Sequence, residues 1–167
     1  YNKLDILVNN AGVLLTGNLF VTNSTTVSDK DIKETFQTNL FSVISLTQAL
    51  LPLIKKSDAG RIVNVSTILS SLTLQSAKDS PIAPAKEFAY NASKTALNAF
   101  TIHLALELKD TNIKVNSGHP GWVKTELGGP NAPMEVKDSY ETSLYLATLD
   151  KDGPSGGLFH KEETLPW

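Results

Sequence analysis

The stretch "LDILVNNAG", residues 4–12, decides how the rest of the chain is read. Leu4–Val8 is apolar apart from Asp5, the pattern of a strand buried on both faces rather than of a half-exposed strand with alternating polarity. It runs straight into Asn9–Gly12, a small and polar turn ending in glycine. The same sequence of events recurs twice. "RIVNV" (Arg61–Val65) runs into Ser66 and Thr67, and "IKVNS" (Ile113–Ser117) runs into "GHPG" (Gly118–Gly121). Between these runs the period changes. From Ser28, which with Asp31 forms an N-cap and capping box, a helical pattern passes through Ile32, Phe36, Leu40, Val43, Ile44 and Leu50, with Pro52 near its end. A second helix is predicted from about Glu87 to Leu108, with Ala92, Ala96, Phe100 and Leu104 on one face. Strand–helix–strand alternation with short apolar strands predicts an α/β fold, a parallel sheet covered by helices on both faces. Sheets of this kind bind ligands at the carboxyl ends of their strands, and there this chain places glycine, hydroxyl and amide side chains.

The remaining segments are less regular. About twenty residues with Pro81 and Pro84 separate the second strand from the second helix, and a loop of that length without structure is usually functional or mobile. A Gly/Pro-rich loop covers His119–Pro133, and a helix near Asp138–Thr148 and a short strand in "GGLFH" complete the pattern. A single domain over residues 1–167 is expected. With a net charge of −2 no basic field points to nucleic acid or to an anionic membrane. The absence of cysteine excludes disulfides and thiolate metal sites and fits a cytoplasmic protein. No apolar run in the sequence is long enough to span a bilayer, so no membrane partner is expected. His103, His119 and His160 are not spaced as metal ligands. His103 reads as a surface or satisfied histidine rather than a ligand, and His119 stands beside the loop where it could touch a ligand. Trp122 and Met134 flank a segment that could form a lid, with core packing the other reading for Trp122.

Tyr90 and Lys94, in "EFAYNASKTALNAF" (residues 87–100), lie four apart and share a helix face. A free phenol titrates near pH 10, and a lysine cation within about 4–6 Å favours the phenolate. The pair then reads as a general acid/base, or as an ordinary pair at a solvated helix start. The small residues Ala92, Ser93 and Ala96 around it, and the Ser66–Thr67 hydroxyls on the preceding strand end, favour the first reading.

"NNAG", "QTNLFSV", "GRIVNVST", "YNASK" and "HPGWVKT" together resemble the successive motifs of the short-chain dehydrogenase/reductase family, in its order and at nearly its spacing. "NSGHPGWVKTELGG" and the "PSGGLF…PW" ending are similar to its carbonyl-reductase-like branch, which reduces ketones and aldehydes with NADPH. The resemblance implies a doubly wound Rossmann-like sheet and a nicotinamide cofactor, NADP(H) ahead of NAD(H). It implies that Tyr90 protonates the carbonyl oxygen, that Lys94 lowers the Tyr90 pKa and holds the nicotinamide ribose, and that Asn39 anchors a water linking Lys94 to solvent. Asn10, Ala11 and Gly12 would lie against the adenine-side ribose, and Pro120, Gly121, Val123 and Thr125 would cup the nicotinamide. The substrate-orienting hydroxyl would be that of Thr67, or of Ser66 if the strand end is shifted by one.

The resemblance also has departures. Thr67 and Tyr90 are 23 residues apart (90 − 67), longer than in most of the family. The family's opening glycine-rich pyrophosphate turn has no counterpart here, and "LDILV" corresponds to the fourth strand of its sheet. The chain is therefore expected to be an N-terminally truncated piece lacking the first three strands, with "LDILV" at an edge and without reductase competence by itself. The substrate is expected to be a small carbonyl or alcohol compound, with oligomeric state open. A non-catalytic binding or regulatory relative and a sugar-nucleotide epimerase are the competing functions.

Overall fold

The five strands form one sheet in the order β1-β2-β3-β4-β5, seen in a computed structural model that describes residues 2–167. β1 (Ile6–Asn9), β2 (Arg61–Val65), β3 (Lys114–Gly118) and β4 (Leu158–His160) are parallel, and β5 (Glu163–Leu165) returns antiparallel to β4. The three strand ends singled out in the sequence are thus adjacent. The register brings Leu7, Ile62 and Val115 into one row and Asn9, Asn64 and Ser117 into a second row two residues on, on the same face.

That face is covered by two helical segments. The first runs from α1 (Asp29–Phe36) through a π-helical turn (Gln37–Phe41) into α2 (Ser42–Ile54). The second is α4 (Phe88–Glu107). Leu7, Ile62 and Val115 pack there against Ile54, Leu104, Ala105 and Leu108. Further along, the second row is polar and still fully enclosed. Asn9 Nδ2 donates to Thr47 Oγ1 of α2 (3.1 Å) and to Asn64 Oδ1 (2.8 Å). Asn64 Nδ2 donates to Thr101 Oγ1 of α4 (2.9 Å), which bonds Ser117 Oγ (2.8 Å). This ladder ties α2, three strands and α4 together just below the strand ends.

The opposite face carries Val63, Leu146, Leu149 and Phe159, with α5 (Glu141–Ala147) laid across it. Arg61, buried at the start of β2, donates to the carbonyls of Leu149, Gly60 and Asn112 and so closes the end of this layer.

Several expectations need correction. β1 is not buried on both faces: Ile6 and Val8 are 44% and 40% exposed, because β1 is the sheet edge and α5 does not cover its outer side fully. The long segment after β2 has structure of its own, a 3₁₀ turn (Ile68–Ser70) and α3 (Leu72–Ser76), the latter held by a Thr73 N–H bond to the Trp167 carbonyl (2.8 Å). Helix α2 ends at Ile54, two residues beyond Pro52, as expected. The continuous helix Asp29–Ile54 is 26 residues, long and apolar enough to cross a membrane by length and composition. It packs Leu40 and Val43 against Leu97 of α4 and directs Asn39 and Thr47 into hydrogen bonds with the rest of the chain, which is how a core helix is used.

Candidate active site

At the carboxyl ends of β1, β2 and β3 the structure opens into a cleft of about 710 Å³. Its floor is formed by Gly12, Ser66, Thr67, Tyr90 and Lys94, and one wall by the loop Pro120–Gly128. Tyr90 lies in the first turn of α4. The N-cap Glu87 accepts the Tyr90 N–H (2.5 Å), and Asn23 Oδ1 accepts the Phe88 N–H (2.8 Å), so the orphan donors of the helix start are satisfied by buried side chains. The Tyr90 ring packs with Leu69, Ile82 and Ala85.

Lys94 follows one turn later on the same face, its Nζ 6.0 Å from the Tyr90 ring centroid. The Nζ donates to the Val65 carbonyl at the end of β2 (2.8 Å). It also sits against the β1 turn: a Cβ on Gly12 would stand 3.1 Å from Nζ and 3.4 Å from Asn39 Oδ1. Glycine at 12 thus leaves Lys94 Nζ its place, which a side chain there would crowd.

The electrostatics correct one expectation. Burial pushes the Tyr90 phenol up to about 12, the Glu87 carboxylate adds to the rise, and a side-chain hydrogen bond from Thr67 acts against it. Lys94 does not bring the phenol down here. Its own ammonium is lowered by burial to about 8. Tyr90 is thus protonated at neutral pH, the state a proton donor needs, and Lys94 titrates just above neutrality.

This gives a stability prediction. Because the folded state holds Lys94 at about 8 against the ordinary 10.5, the unfolded chain binds the extra proton between those values, and stability rises with pH across that window. Below pH 8 the buried cation is a full penalty, on the order of 3 kcal/mol. Lys94→Met removes it at the loss of one hydrogen bond, about 1 kcal/mol. The variant is expected to melt a few degrees higher at pH 7, with the advantage fading as pH rises from 8 to 10.5. Thermal melts of both proteins across that range check it.

The two strand-end hydroxyls differ. Ser66 Oγ donates to Asn98 Oδ1 (2.8 Å) and pairs with Ser70 Oγ (3.2 Å), turned into α4. Thr67 is the one that reaches the phenol, while its Oγ1 also caps the 3₁₀ turn through Leu69 N–H (3.2 Å). Asn39, fully buried in the π-helical turn, accepts from Val13 N–H (2.8 Å) and donates to the Val13 carbonyl and Ser93 Oγ (3.0 Å each). Its side chain is a clamp between the β1 turn and α4. Asn10 and Gly12 line the cleft, whereas Ala11 is exposed and does not line it.

Pro120, Gly121, Val123 and Thr125 all line the opposite wall. The loop is fixed by pairing of Val123 with Met134 and by Trp122 Nε1–H donating to the Gly128 carbonyl (2.7 Å). Gly121 has φ +101°, and a Cβ on Gly128 would lie 2.0 Å from the Val123 carbonyl oxygen. Gly128→Ala must open this turn, and a loss of about 1–3 kcal/mol, read as a lower midpoint in a thermal melt, is expected. Trp122 is half-exposed and meets Phe20 edge-on (5.6 Å between centroids), so it closes the cleft mouth and is not core. His119 lines the cleft, with burial and His160 lowering it to about 3, hence neutral. His103 is exposed. Among the described residues no group of three His, Cys, Asp or Glu side chains is gathered as a metal site.

Sequence reasoning missed Glu87 as a partner of Tyr90. Its signal was present only as an acidic residue at the predicted helix start. It also missed Asn23, which nothing in the local sequence marked.

The family model for short chain dehydrogenases matches residues 1–135. The chain belongs to the short-chain dehydrogenase family. Carbonyl reductase [NADPH] 1 of Mus musculus is 30% identical over 204 aligned positions, covering all of this chain and 71% of that protein. The protein named C-signal of Myxococcus xanthus is 29% identical, covering 98% of this chain and 93% of its own length. Among solved structures, the carbonyl reductase Sniffer of D. melanogaster superposes with a TM-score of 0.81 at 32% identity, covering 99% of this chain and 67% of that one. Similarity to Rossmann-like members of this family accounts for the parallel sheet with helices on both faces.

Proposed function

We propose that this short-chain dehydrogenase family member is an NADPH-dependent oxidoreductase that reduces a ketone or aldehyde to an alcohol, or runs the reverse reaction. The observation that carries this reading is the convergence of Tyr90, Lys94 and Thr67 on one cleft floor, opposite the Pro120–Thr125 wall. The residues present fit the nicotinamide end of the cofactor. Gly12 leaves room beside Lys94 Nζ, and the wall loop is held open by its own hydrogen bonds. NADP(H) is preferred to NAD(H), in line with the name of the mouse relative. When bound, the cofactor supplies hydride to the carbonyl carbon.

The chain's own residues do the rest. Thr67 orients the carbonyl oxygen, and Tyr90 donates its proton to that oxygen as the alcohol forms. Ser66, bonded to Asn98 and Ser70, supports the strand end. Lys94 holds ribose hydroxyls with the donors not given to Val65. Asn39 fixes the β1 turn against α4 so that Asn10 and Gly12 hold the ribose side. Leu19, Phe20, Leu69, Ile82, Trp122 and Leu127 make the substrate side apolar, which suits a small molecule with an apolar body. NADPH consumption on a panel of carbonyl compounds tests the reading. Turnover that favours aryl or alkyl ketones over sugars supports it, and turnover on a sugar nucleotide without net NADPH consumption would favour an epimerase.

A second reading is a non-catalytic binding role. It is favoured by the similarity to C-signal, whose name is that of a signal and whose length this chain nearly matches. A purely binding role gives no reason for a buried lysine beside a buried tyrosine, which costs stability at neutral pH.

A further inference from the structure

Glu87 is the only acidic residue in the buried set of the described residues, at 1% exposure, and no cation among them stands at ion-pair distance from it. Its carboxylate accepts from the Tyr90 N–H (2.5 Å) and from Asn23 Nδ2 (3.2 Å), while Asn23 Oδ1 accepts from Phe88 N–H (2.8 Å). A cap alone does not explain this. Ser, Thr, Asp and Asn cap helices at least as well, and enclosing a carboxylate without a cation is costly. What the longer side chain adds is reach. It joins the first turn of α4 to a loop 64 residues earlier, the loop that carries Leu19 and Phe20 to the cleft.

We propose that Glu87 is a positioning residue for the reaction. It locks the Tyr90 turn to the substrate-side loop and holds its carboxylate at the Tyr90 backbone N–H, so that the phenol keeps its proton until a substrate oxygen takes it. This rests on the reading of Tyr90 as the proton donor. The groups facing the phenol are few. Lys94 lies on the same helix, and the Thr67 hydroxyl comes from the end of β2. From the segment 69–85, Leu69, Ile82 and Ala85 pack with the ring, and Lys86 donates to the Gln75 carbonyl (2.9 Å). His119, across the cleft, is neutral. Among the described residues Glu87 is the buried acid, and its carboxylate, after burial itself, holds the phenol high.

The test is a titration of the chain labelled with ¹³C at tyrosine Cζ, with the Tyr90 signal assigned by its loss in Tyr90→Phe. In Glu87→Gln the ionisation midpoint of Tyr90 is expected to fall by about 1 pH unit, and Glu87→Asp should restore it. If the Gln variant does not fold, Glu87→Ser keeps a capping oxygen without the charge and should show the same fall. Reduction requires the protonated phenol, so the high-pH limb of the activity profile moves to lower pH by the same amount. Asn23→Ala should raise KM with the midpoint unmoved. An unchanged Tyr90 midpoint in the uncharged variants overturns the proposal, as does a lower kcat with no shift in profile. Full turnover in Tyr90→Phe overturns the reading of Tyr90 and this role with it. An unchanged midpoint with turnover lost in Tyr90→Phe overturns only the role of Glu87.

Discussion

Tyr90→Phe is expected to lower carbonyl reduction by about 10²–10⁴-fold, the usual contribution of a positioned general acid, with NADPH binding nearly unchanged. The substitution deletes one oxygen. The ring keeps its contacts with Leu69, Ile82 and Ala85, and the helix start keeps its Glu87 and Asn23 bonds, because these go to backbone N–H groups and not to the phenol. Stability should hold or rise slightly, since a buried hydroxyl is removed. The loss therefore belongs to the chemical step and appears in kcat. Steady-state kinetics with a carbonyl substrate, paired with NADPH titration of the same variant, separates the two. A variant that loses binding in parallel with turnover would point to a misplaced helix instead.

The second large effect is on stability. Asn64→Val suits a strand by propensity and is expected to destabilise the protein by about 3 kcal/mol. Asn64 is the centre of the ladder below the site. Its Oδ1 accepts from Asn9, and its Nδ2 donates to Thr101. Valine leaves an Asn9 donor and the Thr101 acceptor short of a partner, in a place closed to water. Each such orphan costs on the order of 1–3 kcal/mol. Asn9 Oδ1 already has no partner, so Asn9 has no spare bond with which to compensate. For a chain of this size the change should lower Tm by roughly 6–12 °C. Differential scanning calorimetry reads it directly, and a shift within a degree would show that the ladder contributes nothing net. Because Asn9, Asn64 and Ser117 sit just before the cleft residues, activity is expected to fall at temperatures where the protein is still folded.

What the sequence made legible was whatever depends on local pattern. Arg61–Val65 and the helix from Phe88 were readable because a short, largely β-branched apolar segment and a 3.6-residue period carry their own signal. The strand-end residues Gly12, Thr67, Pro120 and Gly121 were readable because the ends of parallel strands are where such sheets bind ligands. What stayed hidden depends on register and enclosure. Glu163–Leu165 has neither alternation nor length and becomes a strand only because the turn at Lys161, with φ 53°, folds it onto β4. The ladder residues Asn9, Asn64 and Thr101 look like interruptions until the register aligns them. The direction of the Tyr90 shift was misjudged for the same reason. Lys94 is visible four residues away in sequence, but the enclosure of the ring and the Glu87 carboxylate are not. Likewise the exposed outer side of Leu4–Val8 follows from its place at the sheet edge and not from its composition.

The claim that this cleft is where hydride and proton meet the substrate is tested most directly by a crystal structure of the protein with NADPH and a slowly reacting aryl ketone. The ketone oxygen is expected within hydrogen-bond distance of the Tyr90 phenol and Thr67, with the nicotinamide between Lys94 and the Pro120–Thr125 wall and its reacting carbon about 3–3.5 Å from the carbonyl carbon. A nicotinamide bound elsewhere, or a ketone held away from Tyr90, would contradict the claim.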